Sequence, residues 1–226
     1  MIRVLVHYLE SNIMQDLLID LDNTVYPEDS NIFAQIDLKM KSFIAKNLNV
    51  SLDQAFKIQK KYFVNNGTTL RGLMLYHNVQ PEDFLNYVHE IDLTSIKKNE
   101  ELSDELKKYN GKKIIFTNGS DKHAKKVLKK IGLDKTIDHI FDIIRADYIP
   151  KPDISTYQKV IKEYSLDPDK TIMIDDLPNN LKTAKELGIK TVLIKKDFFN
   201  SKTHNYIDIM CTNLLDTIKK INKGII

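Results

Sequence analysis

The sequence predicts an α/β fold, a doubly wound parallel sheet interrupted after its first strand by a block of helices. Three observations predict it. A short apolar run, LLIDL at residues 17–21, ends in acidic residues, as a buried strand does when it delivers side chains at its carboxyl end. From about residue 31 to residue 90, apolar residues recur at helical spacing. After about residue 100, short apolar runs and helical patterns alternate, which builds a parallel sheet covered on both faces.

The elements follow in order. In the helical block, Phe33, Ile36, Met40, Phe43 and Ile44 mark one apolar face. Ser51 and Gln54 form a capping-box pattern that opens a second helix, and Gly67 ends it. Residues 69–76 read as a third helix, and Pro81 opens a fourth at its first turn. Phe33, Phe43, Phe56, Tyr62 and Phe63 read as the packed side of these helices rather than as stacking platforms. A helix at 101–108 then precedes the strand KIIFT at 113–117. Further elements are a helix at 122–131 closed by Gly132, a strand near 140–144, a helix at 155–164 and the strand TIMID at 171–175. A helix ending near Gly188, the strand TVLI at 191–194, a last strand at 207–211 and a final helix complete the chain. The expected division is a core of residues 1–26 and 102–226 with a helical insert at 27–101.

Composition narrows the function. Hydrophobic residues make up 42% of 226 residues, enough for a real core, and 34 basic against 31 acidic residues leave a charge of only +3. That balance gives no reason to expect a nucleic-acid polymer or an anionic membrane as partner. The densest basic cluster, Lys125, Lys126, Lys129 and Lys130, has the spacing of one solvated helix face. The single cysteine, Cys211, excludes an internal disulfide, and a reducing, cytoplasmic setting is expected. No apolar run reaches the ~18 residues of a membrane span. The segment MIRVLVHYLESNI is broken by His7 and Glu10 and lacks the pattern of a signal peptide; Met14 stands just before the first strand. The pattern assigns no role to residues 1–13 and no oligomeric state.

The chemistry gathers at strand ends. The first strand ends in Asp20-Leu21-Asp22-Asn23-Thr24, KIIFT in Thr117-Asn118-Gly119, and TIMID in Asp175-Asp176, while Lys151-Pro152 precedes the helix at 155. In parallel sheets ligands bind beyond the carboxyl ends of the strands, so these four points face one crevice. A carboxylate nucleophile and a phosphate dianion repel; two unit charges ~4 Å apart at an effective dielectric near 20 interact by about 4 kcal/mol. A Mg²⁺ ion held by carboxylates cancels that repulsion, and a lysine adds a second positive charge. The substrate expected is therefore a small phosphate ester. Asp20, on the strand end itself, is the expected nucleophile. Asp22, one step on along the same side of an extended chain, is placed to act as acid and then base. Thr117 and Asn118, with Lys151, are the expected phosphate ligands, and Asp20, Asp22, Asp175 and Asp176 the expected metal ligands.

This order of Asp-x-Asp-x-Thr, Thr, Lys and paired Asp resembles the four-part pattern of the haloacid dehalogenase superfamily over residues 15–215. The resemblance implies a Rossmann-like core, an aspartyl-phosphate intermediate, Mg²⁺, and a mobile cap formed by the insert. It also implies that Asp176 touches the metal directly and Asp175 through water. The segments IDLDNTVYP, TTLRGLMLYHNVQPEDFLNYVH, IIFTNGSDKHAKKVLKKIGL and IDDLPNNLKTAKELGIKTVLI are similar to the pyrimidine 5′-nucleotidase branch, which implies a nucleoside 5′-monophosphate as substrate. Many members have Asn-Ala where this chain has Asn118-Gly119. Arg71 and His77 of the insert are candidates for reading the leaving group. His77 reads equally as a histidine bonded locally at a helix end, and His123 reads either as a neighbour of the site or as a helix-start residue.

Rival readings are a sugar-phosphate or phosphoglycolate phosphatase or mutase of the same fold, and a phosphate-accepting signalling module. A haloalkanoic acid dehalogenase needs neither Asp22 nor a metal. Receiver modules are about half as long and carry their paired acids on the first strand. No motif residue is missing, which argues against a catalytically dead scaffold.

Overall fold

The computed structural model describes residues 15–196 and 204–226. Residues 1–13 and Met14 lie outside the described residues. Six strands form one parallel sheet: β1 (Asp16–Ile19), β2 (Lys113–Phe116), β3 (His139–Phe141), β4 (Thr171–Asp175), β5 (Lys190–Ile194) and β6 (Ile209–Cys211), in the order β3-β2-β1-β4-β5-β6. The chain runs outward from β1 to one side through β2 and β3, then returns to the other side with β4. That reversal opens a crevice at the carboxyl ends of β1, β2 and β4. Register places Ile19 beside Ile115 on one flank and Ile174 on the other, so the residues that follow these strands emerge together.

Ten-residue-scale alternation has a simple physical cause here: each strand is buried on both faces and needs a helix on each side. One face of the sheet, with Leu17, Ile19 and Ile115, packs against α5 (Glu100–Lys108), α6 (Asp121–Ile131) and α9 (Leu214–Asn222). The other, with Leu18, Ile114, Phe116 and Met173, packs against α7 (Ile154–Tyr164) and α8 (Pro178–Glu186). The lysines at 125, 126, 129 and 130 are exposed on the outer face of α6.

Between β1 and α5 come α1 (Ile32–Leu48), α2 (Leu52–Asn66), α3 (Thr69–His77) and α4 (Pro81–Val88). They hold a core of their own around Ile36, Phe43, Tyr62, Leu73 and Phe84. The capping box is formed: Ser51 Oγ accepts from the Gln54 N–H, and Gln54 Oε1 accepts from the Ser51 N–H. Helix α3 crosses α2 closely at Gly72, where a Cβ would stand 2.3 Å from the Tyr62 ring. Ile143, from the loop after β3, joins this helical core, while Ile91, Leu93 and Ile96, between α4 and α5, pack on the sheet side.

Three elements differ from expectation. The first strand, expected over 17–21, is Asp16–Ile19, because the chain turns after it, where the Thr24 and Val25 N–H groups bond the Leu21 carbonyl. The strand expected near 140–144 is His139–Phe141, because Asp142 turns the chain by accepting from the Asp121 and Arg145 N–H groups. The strand expected at 207–211 begins at Ile209, because the Asp208 carboxylate accepts from the Thr191 N–H and from Lys185. Among the described residues, no helix is long and apolar enough to cross a membrane.

Candidate active site

Asp20 follows the last residue of β1 and is held there by its N–H bond to the Ile174 carbonyl. Asn23 adopts φ 61°, a left-handed conformation that Asn tolerates, and so turns the chain back above the strand end. Across the crevice β4 ends in Asp175. The next residue, Asp176, brings a third carboxylate: one oxygen from each of Asp20, Asp175 and Asp176 lies within 4.8 Å of the others.

One ammonium serves this group. Lys151, 1% exposed, donates to Asp20 Oδ1 at 2.8 Å, to Asp175 Oδ2 at 2.9 Å and to the Phe116 carbonyl at 2.7 Å. These use all three protons of a lysine. A phosphate oxygen can therefore gain a Lys151 proton only in exchange for one of these bonds. Burial alone pushes the Lys151 ammonium down, but Asp175 and Asp20 outweigh it and hold it above the ordinary lysine value. Burial, with Asp175 and Asp176 beside it, raises the Asp20 carboxyl well above the ordinary value, against the pull of Lys151. Burial and then Asp175 push Asp176 up to about 7. Three carboxylates sharing one ammonium leave uncompensated negative charge, so the donor set suits a small hard cation. Asp175 is the least free to bind one directly. Its oxygens also accept from the Leu177 N–H at 2.8 Å and from the Asn180 amide at 3.0 Å.

The Asp22 carboxylate lies apart from this acidic group. Its Oδ1 accepts from the Tyr26 hydroxyl and from His123 Nε2 at 2.9 Å. Burial raises the Asp22 carboxyl, but His123 and Tyr26 outweigh it and bring it below the ordinary range. Thr117 Oγ1 accepts from the Gly119 N–H at 2.9 Å, which leaves its own proton for a ligand oxygen. The Asn118 amide is spent on the backbone of Lys151, accepting from its N–H at 2.8 Å and donating to its carbonyl at 3.1 Å. Asn118 thus fixes where Lys151 starts, and both ends of its amide are committed there rather than to a phosphate.

A cavity of about 250 Å³ lies above these groups, lined on the far side by α1, α2, the first turn of α3 and α4. Its far wall carries Phe33, Met40 and Phe63, with the polar set Asp37, Gln59 and Lys60. Asp37 accepts from Lys60 at 2.7 Å and from Gln59 at 2.8 Å. The expectation that the five aromatics pack inside the helical block holds for Phe43 and Tyr62. Phe33 and Phe63 are instead 36% and 48% exposed and line the cavity, and Phe56 is exposed beneath Lys60. Helical spacing marks an apolar face but does not say whether that face meets a core or a hollow.

Neither specificity candidate reaches the cavity. His77 Nε2 is bonded to the Tyr62 hydroxyl at 2.7 Å, and Arg71 lines a neighbouring cleft beside Asn66 and Pro150. Sequence reasoning passed over Tyr26, His89 and Asn180. Tyr26 was findable, four residues after Asp22; His89 and Asn180 carried no local signal.

The family model described as haloacid dehalogenase-like hydrolase matches residues 17–188. The glyceraldehyde 3-phosphate phosphatase of Methanocaldococcus jannaschii is 25% identical over 240 residues, covering 93% of this chain and 99% of that protein. A HAD phosphatase structure from Thermococcus onnurineus superposes with a TM-score of 0.59 at 17% identity, over 94% of this chain and 98% of that one. The L-2-haloacid dehalogenase of Xanthobacter autotrophicus superposes equally well, with a TM-score of 0.59 at 11% identity over 92% and 98%. The fold is common to both structures and does not separate their chemistries.

Proposed function

The chain belongs to the haloacid dehalogenase-like hydrolase family, and from that premise we propose that it is a Mg²⁺-dependent phosphatase acting on a small phosphate monoester through Asp20. The observation that carries this reading is Lys151 bridging Asp20 and Asp175, with Asp176 alongside. A dehalogenase has no use for the extra carboxylates. Asp20, Asp175 and Asp176, with the backbone of Asp22, would hold the ion. When bound, it would supply positive charge that offsets the repulsion of the Asp20 carboxylate and the phosphate.

The steps follow from the residues. The Asp20 oxygen bonds to phosphorus as the bond to the ester oxygen breaks, and Asp22, entering the step protonated on Oδ2, passes that proton to the leaving oxygen. Water then attacks the phosphorus of the aspartyl-phosphate, Asp22 takes its proton, and Asp20 is released with inorganic phosphate. Thr117 and the backbone of the turn after β2 hold the spectator oxygens. Helices α1–α4 act as a cap that excludes water from the first step.

For the ester itself, a cavity of about 250 Å³ lies below the ~300–1,000 Å³ usual for drug-sized ligands. It favours a short leaving group, and Asp37, Gln59 and Lys60 suit one that carries hydroxyls. The name of the archaeal relative supports this class. A pyrimidine nucleoside 5′-monophosphate is the second reading, favoured by the exposed rings of Phe33 and Phe63 on the same wall. A phosphate-release screen over triose and sugar phosphates, phosphoglycolate, UMP and CMP decides between them. The highest kcat/KM is expected for a three- to six-carbon ester; a clear preference for UMP and CMP would establish the second reading. An isomerised product in place of free phosphate would mark a mutase.

The raised carboxyls also predict a metal effect on stability. Asp176 has a folded value of about 7 against an ordinary 3.8. Its contribution to stability is complete below the ordinary value and is lost as pH rises through about 7. The metal-free protein is thus handicapped at pH 8, where a cation relieves the repulsion. Mg²⁺ is expected to raise Tm by several degrees at pH 8 and by much less at pH 5, read by thermal unfolding. Equal shifts at both pH values would place the ion elsewhere.

A further inference from the structure

Asp22 is held from behind by a chain of side chains that the phosphoryl-transfer reading does not use. With the acid's proton on Oδ2, Asp22 Oδ1 can only accept, so His123 Nε2 carries the proton in its 2.9 Å bond to Asp22 Oδ1, and the Tyr26 hydroxyl donates to the same oxygen. Oδ2 is left on the side of the Thr117–Gly119 turn; a Cβ built on Gly119 would stand 3.7 Å from it and 3.3 Å from Thr117 Oγ1. The His123 ring is 1% exposed and stacked on His89, with centroids 4.3 Å apart and planes 7° from parallel. His89 follows the last turn of α4, and its Nδ1 is 3.1 Å from Ser120 Oγ. The same Ser120 Oγ accepts from the His123 N–H and so caps α6. Core helix and inserted helix thereby meet in one closed arrangement behind Asp22.

We infer that His123 is a positioning residue: it keeps Asp22 in the rotamer that turns Oδ2 toward the leaving oxygen, and His89 braces it from the last helix of the cap. The hold on Asp22 is then complete only while α4 is seated. This rests on the reading of Asp22 as the acid for the leaving group. Its consequence is specific. A phenolate departs without a proton, whereas an alkoxide needs one, so a misplaced acid harms alkyl esters selectively.

The test compares kcat/KM, which reports steps up to the first phosphoryl transfer, for p-nitrophenyl phosphate and for the best alkyl ester of the screen. His123→Leu is expected to raise the aryl-to-alkyl ratio of kcat/KM by ten-fold or more. His123→Gln, which keeps an N–H near the Nε2 position, restores most of the wild-type ratio. His89→Ala raises the ratio and His89→Phe, which keeps a stacked ring, raises it less. Equal losses on both esters, or an unchanged ratio in folded His123→Leu, would overturn the inference. Should His123→Leu not fold, the ratio in His89→Ala against His89→Phe decides in the same way. Asp20→Asn separates the two levels: if it stays active on both esters, the catalytic reading fails, whatever His123 does.

Discussion

Asp20→Asn is expected to leave under about 1% of wild-type phosphate release on every ester, with the fold intact. An amide oxygen does not form the aspartyl-phosphate, so the two-step route is closed rather than slowed. The substitution is isosteric, and Lys151 keeps Asp175 and the Phe116 carbonyl as partners. Stability moves the other way from activity. The folded Asp20 carboxyl lies well above its ordinary value because of burial and its acidic neighbours, so its contribution to the stability of the metal-free protein is lost as pH rises. Replacing the carboxyl by an amide removes that pH-dependent loss and is expected to hold or raise Tm at pH 7.5 without Mg²⁺. Steady-state phosphate release and thermal unfolding on one preparation check both parts. Turnover above a few per cent of wild type would put the nucleophile elsewhere.

Lys151→Met is expected to lower kcat/KM by about 10²–10³-fold, the range for removing one preorganised charge donor at a transition state. It is also expected to destabilise the metal-free protein by roughly 3 kcal/mol, since breaking a buried ion pair from one side leaves charge unpaired. Asp175 is fully buried and Asp20 nearly so, which makes both losses real. Methionine fills the volume of the lysine stem, so the stability loss reports charge rather than a cavity. Mg²⁺ is expected to recover stability but not activity. Because the three Lys151 protons already have protein acceptors, a loss of less than threefold would mean that Lys151 does not reach the reacting phosphate.

Much of the fold was legible because it rests on local patterns. Alternating apolar runs and helical periodicity marked the parallel sheet, and Ser51 with Gln54 marked a helix start that the structure forms. Helix caps at Asn99, Ser120 and Asp153 work the same way, through bonds spanning two or three residues. Strand edges were less legible: Asp142 and Asp208 end or delay ladders by binding distant backbone groups, 21 and 17 residues away. The two cap residues singled out for specificity, Arg71 and His77, illustrate a further limit. Both sit in a segment with an informative pattern, yet the rotation of α3 turns them from the cavity.

By itself the sequence determined which reactive side chains gather, because Asp20, Asp22, Thr117 and Asp175-Asp176 sit at or just beyond strand ends and parallel strands deliver their ends to one crevice. Only the tertiary structure decided how that chemistry is held. Lys151 reaches Asp20 across 131 residues of chain, and His123 reaches Asp22 across 101. Whether Phe33 and Phe63 face a core or a hollow, and whether His89 lies against His123, depends on how the inserted helices seat on the sheet. Contacts of that range are set by strand order and helix rotation, quantities that no local spacing of residues encodes.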